Sequence, residues 1–157
     1  MCPKDPAAAA TLWLKSYPPS GQRRGSTWCN DGATATLRLS ASPRSAKVPA
    51  SLRFVGGFCT QSKRGDRYVQ VGTRISPADS RKRTDPQGLH LIKPRTSTSP
   101  WLELGTPTLT WENYAKTTWN GLRGTFSGTS DVFVGGAVRK VTVTGSFVCR
   151  RIVKTAR

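Results

Sequence analysis

Residues 122–149 read LRGTFSGTSDVFVGGAVRKVTVTGSFVC and carry the clearest structural signal in the chain. Gly135-Gly136 supplies the two positive-φ positions that a two-residue type I′ turn requires. The segment after the turn alternates between apolar and polar residues with a period of two. The residues directed to a core are Val141, Val143, Gly145, Phe147 and Cys149. The residues directed to solvent are Thr142, Thr144 and Ser146. The pattern predicts a half-buried antiparallel hairpin, which we extend to residues 118–154.

The segment before the turn alternates in the same way, with glycines at some of its inward positions. The alternation directs Leu122, Gly124, Phe126 and Gly128 to the core and Arg123, Thr125, Ser127 and Thr129 to solvent. A glycine that faces the core leaves room for a large side chain on the neighbouring strand, or marks a bulge.

The remaining chain also favours strands over helices. β-branched and aromatic residues alternate throughout, and no stretch apart from the short run 7–10 has a helical apolar period. Turn-forming residues separate the predicted strands, which are Thr11–Ser16, Ala33–Ser40, Ser51–Thr60, Arg67–Ile75, Leu89–Lys93, Thr108–Tyr114, Thr118–Val134 and Ala137–Lys154. The 157 residues therefore predict one all-β domain, an antiparallel sandwich or barrel, with an N-terminal tether over 1–10 and a basic loop over 76–88.

The four cysteines are Cys2, Cys29, Cys59 and Cys149, and no two of them form a C-x-x-C pair. His90 is the only histidine, so the chain lacks the usual ligand pairs of zinc, and we predict neither a metal nor a cofactor. An even number of cysteines favours two disulfides and an oxidising compartment, and the alternative is four free thiols in an intracellular protein. One of the three connectivities joins Cys59 to Cys149 and leaves Cys2 with Cys29.

The charge of the chain indicates an anionic partner. Twenty-five Lys and Arg residues face eight acids, for a formal net charge of +17. Self-repulsion at this charge destabilises a compact state, and solubility does not require so much. We expect an anionic polysaccharide, a nucleic acid, an anionic membrane surface or an acidic protein surface as partner. No apolar run approaches the roughly 20 residues of a transmembrane helix, and no transmembrane segment is predicted.

Four clusters of basic residues are the candidate contacts for such a partner. They are Arg23-Arg24, Lys63-Arg64-Gly65-Asp66-Arg67, Arg81-Lys82-Arg83, and Arg150-Arg151 with Lys154. The third cluster lies in the long polar loop, where binding residues tend to concentrate. Forked guanidinium donors suit phosphate and sulfate oxygens. The alternative for this loop is a solvated segment that binds nothing.

Trp111 and Trp119 flank a segment that contains Glu112 and Asn113, and Asn120 directly follows Trp119. With their rings outward, the two tryptophans would form a platform that stacks sugars or bases. The alternative places both rings inside the sandwich, as for most large aromatic side chains.

The chain has few residues suited to catalysis, and we predict no catalytic residue. His90 occupies what reads as a solvent-facing strand position, and the carboxylates are scattered without motif spacing. A glycosidase-like pair of Glu103 and Glu112 would require the fold to bring them within about ten ångströms.

The sequence thus predicts a non-enzymatic, extracellular or cell-surface domain that engages an anionic polymer or acidic partner through Arg/Lys-rich loops. Two alternatives stay open. One is a structural component of a nucleic-acid-containing assembly, such as a virion or ribonucleoprotein, whose charge neutralises the nucleic acid. The other is a small secreted hydrolase or toxin with an unusual active site.

Overall fold

The computed structural model describes residues 32–72, 88–96, 100–105 and 109–154. These residues form two packed sheets without a helix, which confirms the predicted all-β class. None of them forms a helix that could cross a membrane. The strands in chain order are β1 (Thr34–Ser42), β2 (Ser51–Val55), β3 (Gly57–Gln61), β4 (Arg67–Gly72), β5 (Gly88–Lys93), β6 (Trp101–Gly105), β7 (Thr110–Tyr114), β8 (Lys116–Asn120), β9 (Arg123–Val134), β10 (Ala137–Val148) and β11 (Ile152–Lys154).

Sheet A has the strand order β2-β1-β10-β9-β8, and sheet B has the order β11-β3-β4-β5-β6-β7. Every pairing is antiparallel except that of β11 with β3. The chain passes from sheet A to sheet B at Gly56-Gly57. Gly57 has a φ of 154°, and a Cβ atom there would lie 1.9 Å from the carbonyl oxygen of Gln70, so only glycine fits this tight bend.

The β9–β10 hairpin forms as the sequence predicts. Gly135 and Gly136 have φ values of 58° and 82°, and Val134 pairs with Ala137 across the turn. Of the residues predicted to face the core after the turn, Val141, Val143 and Phe147 on β10 and Cys149 directly after it are buried. These side chains contribute to a single apolar cluster between the two sheets.

The core-facing glycines make room for large neighbours, as predicted. In the register of sheet A, Gly124 lies opposite Phe147 on one side and Trp119 on the other. Gly145 lies between Phe126 and Leu37 in the same way. A Cβ atom on Gly124 would come within 2.3 Å of the Phe147 ring. The alternation of glycine with aromatic residues therefore fills the inner face of sheet A without collision.

The prediction that Leu122 faces the core is wrong. Leu122 is 43% exposed, because Gly121-Leu122 forms a turn that divides the predicted strand 118–134 into β8 and β9. Gly121 has a φ of 58°, a conformation that other residues rarely adopt.

Other predicted strand and loop boundaries also differ from the structure. Segment 51–60 divides at Gly56 into β2 and β3, and segment 137–154 divides into β10 and β11, which belong to different sheets. Strand β6 was not predicted, although its burial alternates along WLELG. Gly88, which we assigned to the basic loop, begins β5. The predicted strand 11–16, the tether 1–10 and the loop residues 76–87 lie outside the described residues.

A disulfide joins Cys59 on β3 to Cys149, which directly follows β10. The S–S distance is 2.06 Å, and both residues are buried. The bond connects sheet B to sheet A, and it confirms one of the predicted pairings. Cys2 and Cys29 lie outside the described residues.

Candidate anion-binding site

Positive charge is distributed unevenly over the described residues. They include sixteen Lys and Arg residues but only four acids, Asp66, Glu103, Glu112 and Asp131. The strand register places five cations among exposed Thr and Ser side chains on the outer face of sheet A, namely Arg38, Arg53, Lys116, Arg123 and Lys140. The described strands of sheet B carry no Lys or Arg on their outer face, which holds Glu103 and Glu112.

A second group of cations lies at one end of sheet B, where the β3–β4 turn meets the ends of β5 and β11. We call this group the cationic rim, and its members are Lys63, Arg64, Arg67, Lys93, Arg95 and Lys154. In the strand register, Lys154 lies opposite Gln61, Gln61 opposite Arg67, and Arg67 opposite Lys93. The rim therefore extends across four adjacent strands, β11, β3, β4 and β5. The four residues of this register row lie on the same face of the sheet.

Hydrogen bonds hold the β3–β4 turn in a defined shape. The backbone N–H of Ser62 donates to the carbonyl oxygen of Asp66 at 2.8 Å, and that of Gly65 donates to the carbonyl oxygen of Ser62 at 3.0 Å. Gly65 has a φ of 94°, which glycine accommodates at no steric cost. The turn thus holds the backbone of Lys63 and Arg64 in place while their side chains are exposed.

The carboxylate of Asp66 ties a second loop to this turn. Its Oδ1 accepts a hydrogen bond of 2.8 Å from the backbone N–H of Arg95. The Arg95 side chain lies against Gly65, with its Cδ atom 3.0 Å from where a Cβ atom would be. Asp66 also raises the pKa of Tyr68, although burial is the larger cause of that shift. The one described acid at the rim therefore positions the backbone N–H of Arg95, and this hydrogen bond holds Arg95 beside the turn that carries Lys63 and Arg64 although Arg95 lies far along the chain from them.

Arg67 is held in place by the opposite sheet. Its guanidinium carbon lies 5.4 Å from the centroid of the Trp119 ring. The Trp119 indole N–H donates to the Gly121 carbonyl oxygen at 2.9 Å, and its ring packs edge to face against Phe147 at 4.7 Å. Directly across the sheet from Arg67 is Lys93, and two like charges in this arrangement repel each other.

The structure places the predicted cation clusters differently. Lys63, Arg64, Arg67 and Lys154 join the rim, whereas the exposed Arg150 and Arg151 lie in the link between β10 and β11. Arg23, Arg24 and the cluster Arg81-Lys82-Arg83 lie outside the described residues. Sequence analysis did not place Lys93 or Arg95 at the site. They lie far along the chain from Lys63, and only the pairing of β4 with β5 brings them to it.

Trp111 and Trp119 do not form an exposed platform. Trp111 is fully buried, and its indole N–H donates to the Val141 carbonyl oxygen at 3.3 Å. Trp119 is 9% exposed beneath Arg67. Both rings belong to the core, which was the alternative interpretation of this segment. Neither tryptophan offers an exposed ring face, and Trp119 contacts Arg67 from below.

The prediction that His90 faces solvent is wrong. His90 is 8% exposed, and its row on the outer face of sheet B is also buried at Phe58 and Gln70. The next strand brings Glu103 beside it, with the Nδ1 of His90 3.7 Å from a Glu103 carboxylate oxygen. Exposure could not be predicted at this position because a period-two pattern separates the two faces of a strand but does not tell which of them is covered.

The fold does bring Glu103 and Glu112 together, since they lie directly opposite each other on β6 and β7. The Trp101 indole N–H donates to a Glu103 oxygen at 3.0 Å. Among the described residues, no group of His, Cys, Asp and Glu side chains is arranged to hold a metal ion. The two carboxylates of this row therefore occupy the same register position on adjacent strands.

Comparison of the chain with protein-family models, with curated proteins and with solved structures finds no match.

Proposed function

We propose that this protein is a non-enzymatic domain that binds an anionic polysaccharide through the cationic rim. The observation that carries the proposal is the register pair Arg67–Lys93, which holds two cations opposite each other in a rim of six with Asp66 as its one described acid. Cross-strand like charges are unfavourable when nothing neutralises them. An anion bound between Arg67 and Lys93 offsets their repulsion and accepts a charge-assisted hydrogen bond from each of them.

None of the six rim cations forms an ion pair with a described acid, so their charge is available to a ligand. Binding costs less conformational entropy when the binding residues are already held in place. Here hydrogen bonds fix the β3–β4 turn, and Arg67 is held against Trp119. The forked donors of arginine match a pair of oxygens on a carboxylate or sulfate group, and lysines add charge without demanding one geometry. The rim therefore suits a polymer with repeated anionic groups.

Two features favour a polysaccharide over a nucleic acid as that polymer. Trp119 lies buried below the rim, so it offers no face on which a base could stack. The Cys59–Cys149 disulfide is compatible with an oxidising, extracellular or cell-surface location, where acidic polysaccharides are the abundant polyanions. Nucleic acid remains the competing ligand for the experiment.

The proposal is tested with a matched pair of triple variants that remove equal charge from two places. Lys63→Ala/Arg64→Ala/Arg95→Ala alters the rim, and Arg38→Ala/Arg53→Ala/Lys116→Ala alters the outer face of sheet A. Affinity for a defined heparin oligosaccharide is measured over a range of salt concentrations by calorimetry. We expect the rim variant to bind heparin at least about tenfold more weakly than the wild type. The slope of the logarithm of the binding constant against the logarithm of the salt concentration should decrease in magnitude by roughly 2.

The control variant should lose only the small part of the heparin affinity that depends on net charge. Equal losses in the two variants would show that binding is spread over the surface and would overturn the proposed site. A single-stranded oligonucleotide of matched charge serves as the second ligand. If it binds the wild-type protein more tightly than heparin does, the assignment to a polysaccharide is wrong.

A further inference from the structure

The β9–β10 hairpin projects beyond the other strands of sheet A. Strand β8 pairs with β9 only between Arg123 and Ser127, and β1 pairs with β10 only from Lys140 onward. The end of the hairpin, residues 132–138, reads VFVGGAV and has no described strand beside it. It contains no charged or polar side chain.

The two faces of this hairpin end differ. Val132 and Val134 point to the inner side, where they are 9% and 3% exposed and belong to the core. Phe133 and Val138 point outward, opposite each other in the register, and are 74% and 62% exposed. We call Phe133, Val138 and the turn Gly135-Gly136 between them the apolar tip. Phe133 has the largest exposed fraction of the large hydrophobic side chains in the described part of the chain.

Cations surround the apolar tip. The Lys47 side chain crosses the turn, with its Nζ atom 2.9 Å from where a Cβ atom of Gly135 would be. Lys140 is exposed in the row next to Phe133 and Val138, and Arg139 donates from Nη1 to the Val138 carbonyl oxygen at 3.1 Å. The one described acid in these rows is Asp131, opposite Lys140. The surroundings of the tip are therefore positive while the tip itself is apolar.

We propose that the apolar tip anchors the protein to the surface of an anionic lipid bilayer. Phe133 and Val138 enter the boundary between headgroups and acyl chains, and Lys47 and Lys140 contact the headgroup phosphates and carboxylates. An apolar element flanked by two lysines provides the two contributions to interfacial binding, burial of apolar surface and attraction to anionic lipid.

A second copy of the chain is a weaker candidate for the occupant. Two exposed side chains cover far less than the roughly 800 Å² per partner that a stable protein interface buries. Two tips that met would also bring their cations together, whereas an anionic bilayer neutralises them.

This inference goes beyond the proposed function and uses different residues. Gly124, which faces Trp119 near the rim, and Phe133 are nine residues apart on β9, about 30 Å along an extended strand. The two surfaces can therefore be tested independently of each other.

The experiment measures co-sedimentation of the full chain with phosphatidylcholine vesicles that contain or lack phosphatidylserine. Phe133→Thr/Val138→Thr removes the apolar side chains while keeping residues that favour strands. Val55→Thr/Val148→Thr is the matched control, because these exposed valines lie at the other end of the same sheet face. We expect the tip variant to partition at least about tenfold more weakly onto anionic vesicles and the control to match the wild type.

Binding to vesicles without phosphatidylserine should be much weaker than binding to anionic vesicles for every variant. Absence of wild-type binding to anionic vesicles, or equal binding by the tip variant and the wild type, would overturn the inference. So would a wild-type dimer in light scattering that the tip variant abolishes without a change in vesicle binding. Heparin affinity of the tip variant should be unchanged, and this result separates failure of the anchor from failure of the rim.

A second variant reports insertion directly. Phe133→Trp places an indole at the tip, and Val55→Trp places one at the control position. Brominated lipid in the anionic vesicles should quench the additional fluorescence of Phe133→Trp and leave that of Val55→Trp unaffected. Equal quenching of both variants contradicts insertion of the tip.

Discussion

Arg67 of sheet B lies over the ring of Trp119 of sheet A, with 5.4 Å between its guanidinium carbon and the ring centroid. This contact joins a residue of the candidate site to the hydrophobic core, because Trp119 packs in turn on Phe147. A change at Arg67 should therefore affect folding as well as binding.

We expect Arg67→Ala to lower the free energy of unfolding by up to about 0.5–1 kcal/mol, because the loss of the cation–π contact and of the packing of the arginine stem outweighs the relief of repulsion with Lys93. Urea denaturation followed by circular dichroism measures this change. Arg53→Ala removes the same charge from the exposed outer face of sheet A and should stay within about 0.5 kcal/mol of the wild type. Equal destabilisation by the two substitutions would indicate an effect of net charge alone.

Gly124→Ala should be strongly destabilising because the fold leaves no room for a side chain there. The added Cβ atom would lie 2.3 Å from Cζ of Phe147 and 2.6 Å from the Thr118 carbonyl oxygen. Overpacking of this kind costs roughly 1–3 kcal/mol, as measured by thermal or urea unfolding. Combination with Phe147→Leu should recover part of the loss, and strictly additive effects of the two substitutions would exclude the ring as the cause.

Loss of the Cys59–Cys149 disulfide should lower stability by about 2–5 kcal/mol, because the bond closes a loop with a sequence separation of 90. Unfolding midpoints of Cys59→Ala, Cys149→Ala and the double variant provide the measurement. Either single substitution breaks the same bond, so the double variant should be little less stable than the singles. A double variant that loses the sum of the two single effects would mean that the bond contributes little.

Tyr68 should titrate above its ordinary pKa of 10.0, since burial and the Asp66 carboxylate both raise it. The folded protein favours the neutral phenol, so this contribution to stability is complete below pH 10 and is lost as the pH rises through the folded-state pKa. Ultraviolet difference titration of the wild type against Tyr68→Phe isolates the group. Asp66→Asn should lower the pKa only partly, and a wild-type midpoint at or below 10.0 would contradict the structure.

Much of the fold follows from patterns within single strands. The alternation along residues 137–149 and the two positive-φ glycines define the hairpin and its inner face, because period and turn conformation are local properties of the backbone. The predicted strand 118–134 missed the β8–β9 turn although Asn120-Gly121 is a turn-forming pair, and the short strand β6 was missed because it lies between turn-forming residues.

The candidate site depended much more on pairing between distant segments. Lys63, Arg64 and Arg67 form a visible cluster in the sequence, but the opposition of Arg67 to Lys93 and the contact of Arg67 with Trp119 exist only in the folded chain. The burial of His90 and the opposition of Glu103 to Glu112 have the same origin. Register and sheet packing arise from long-range hydrogen bonds and core contacts, and residues far apart in the chain carry no local trace of them. Composition and alternation therefore established a basic β-sandwich, whereas the packing of its two sheets established where that charge is gathered.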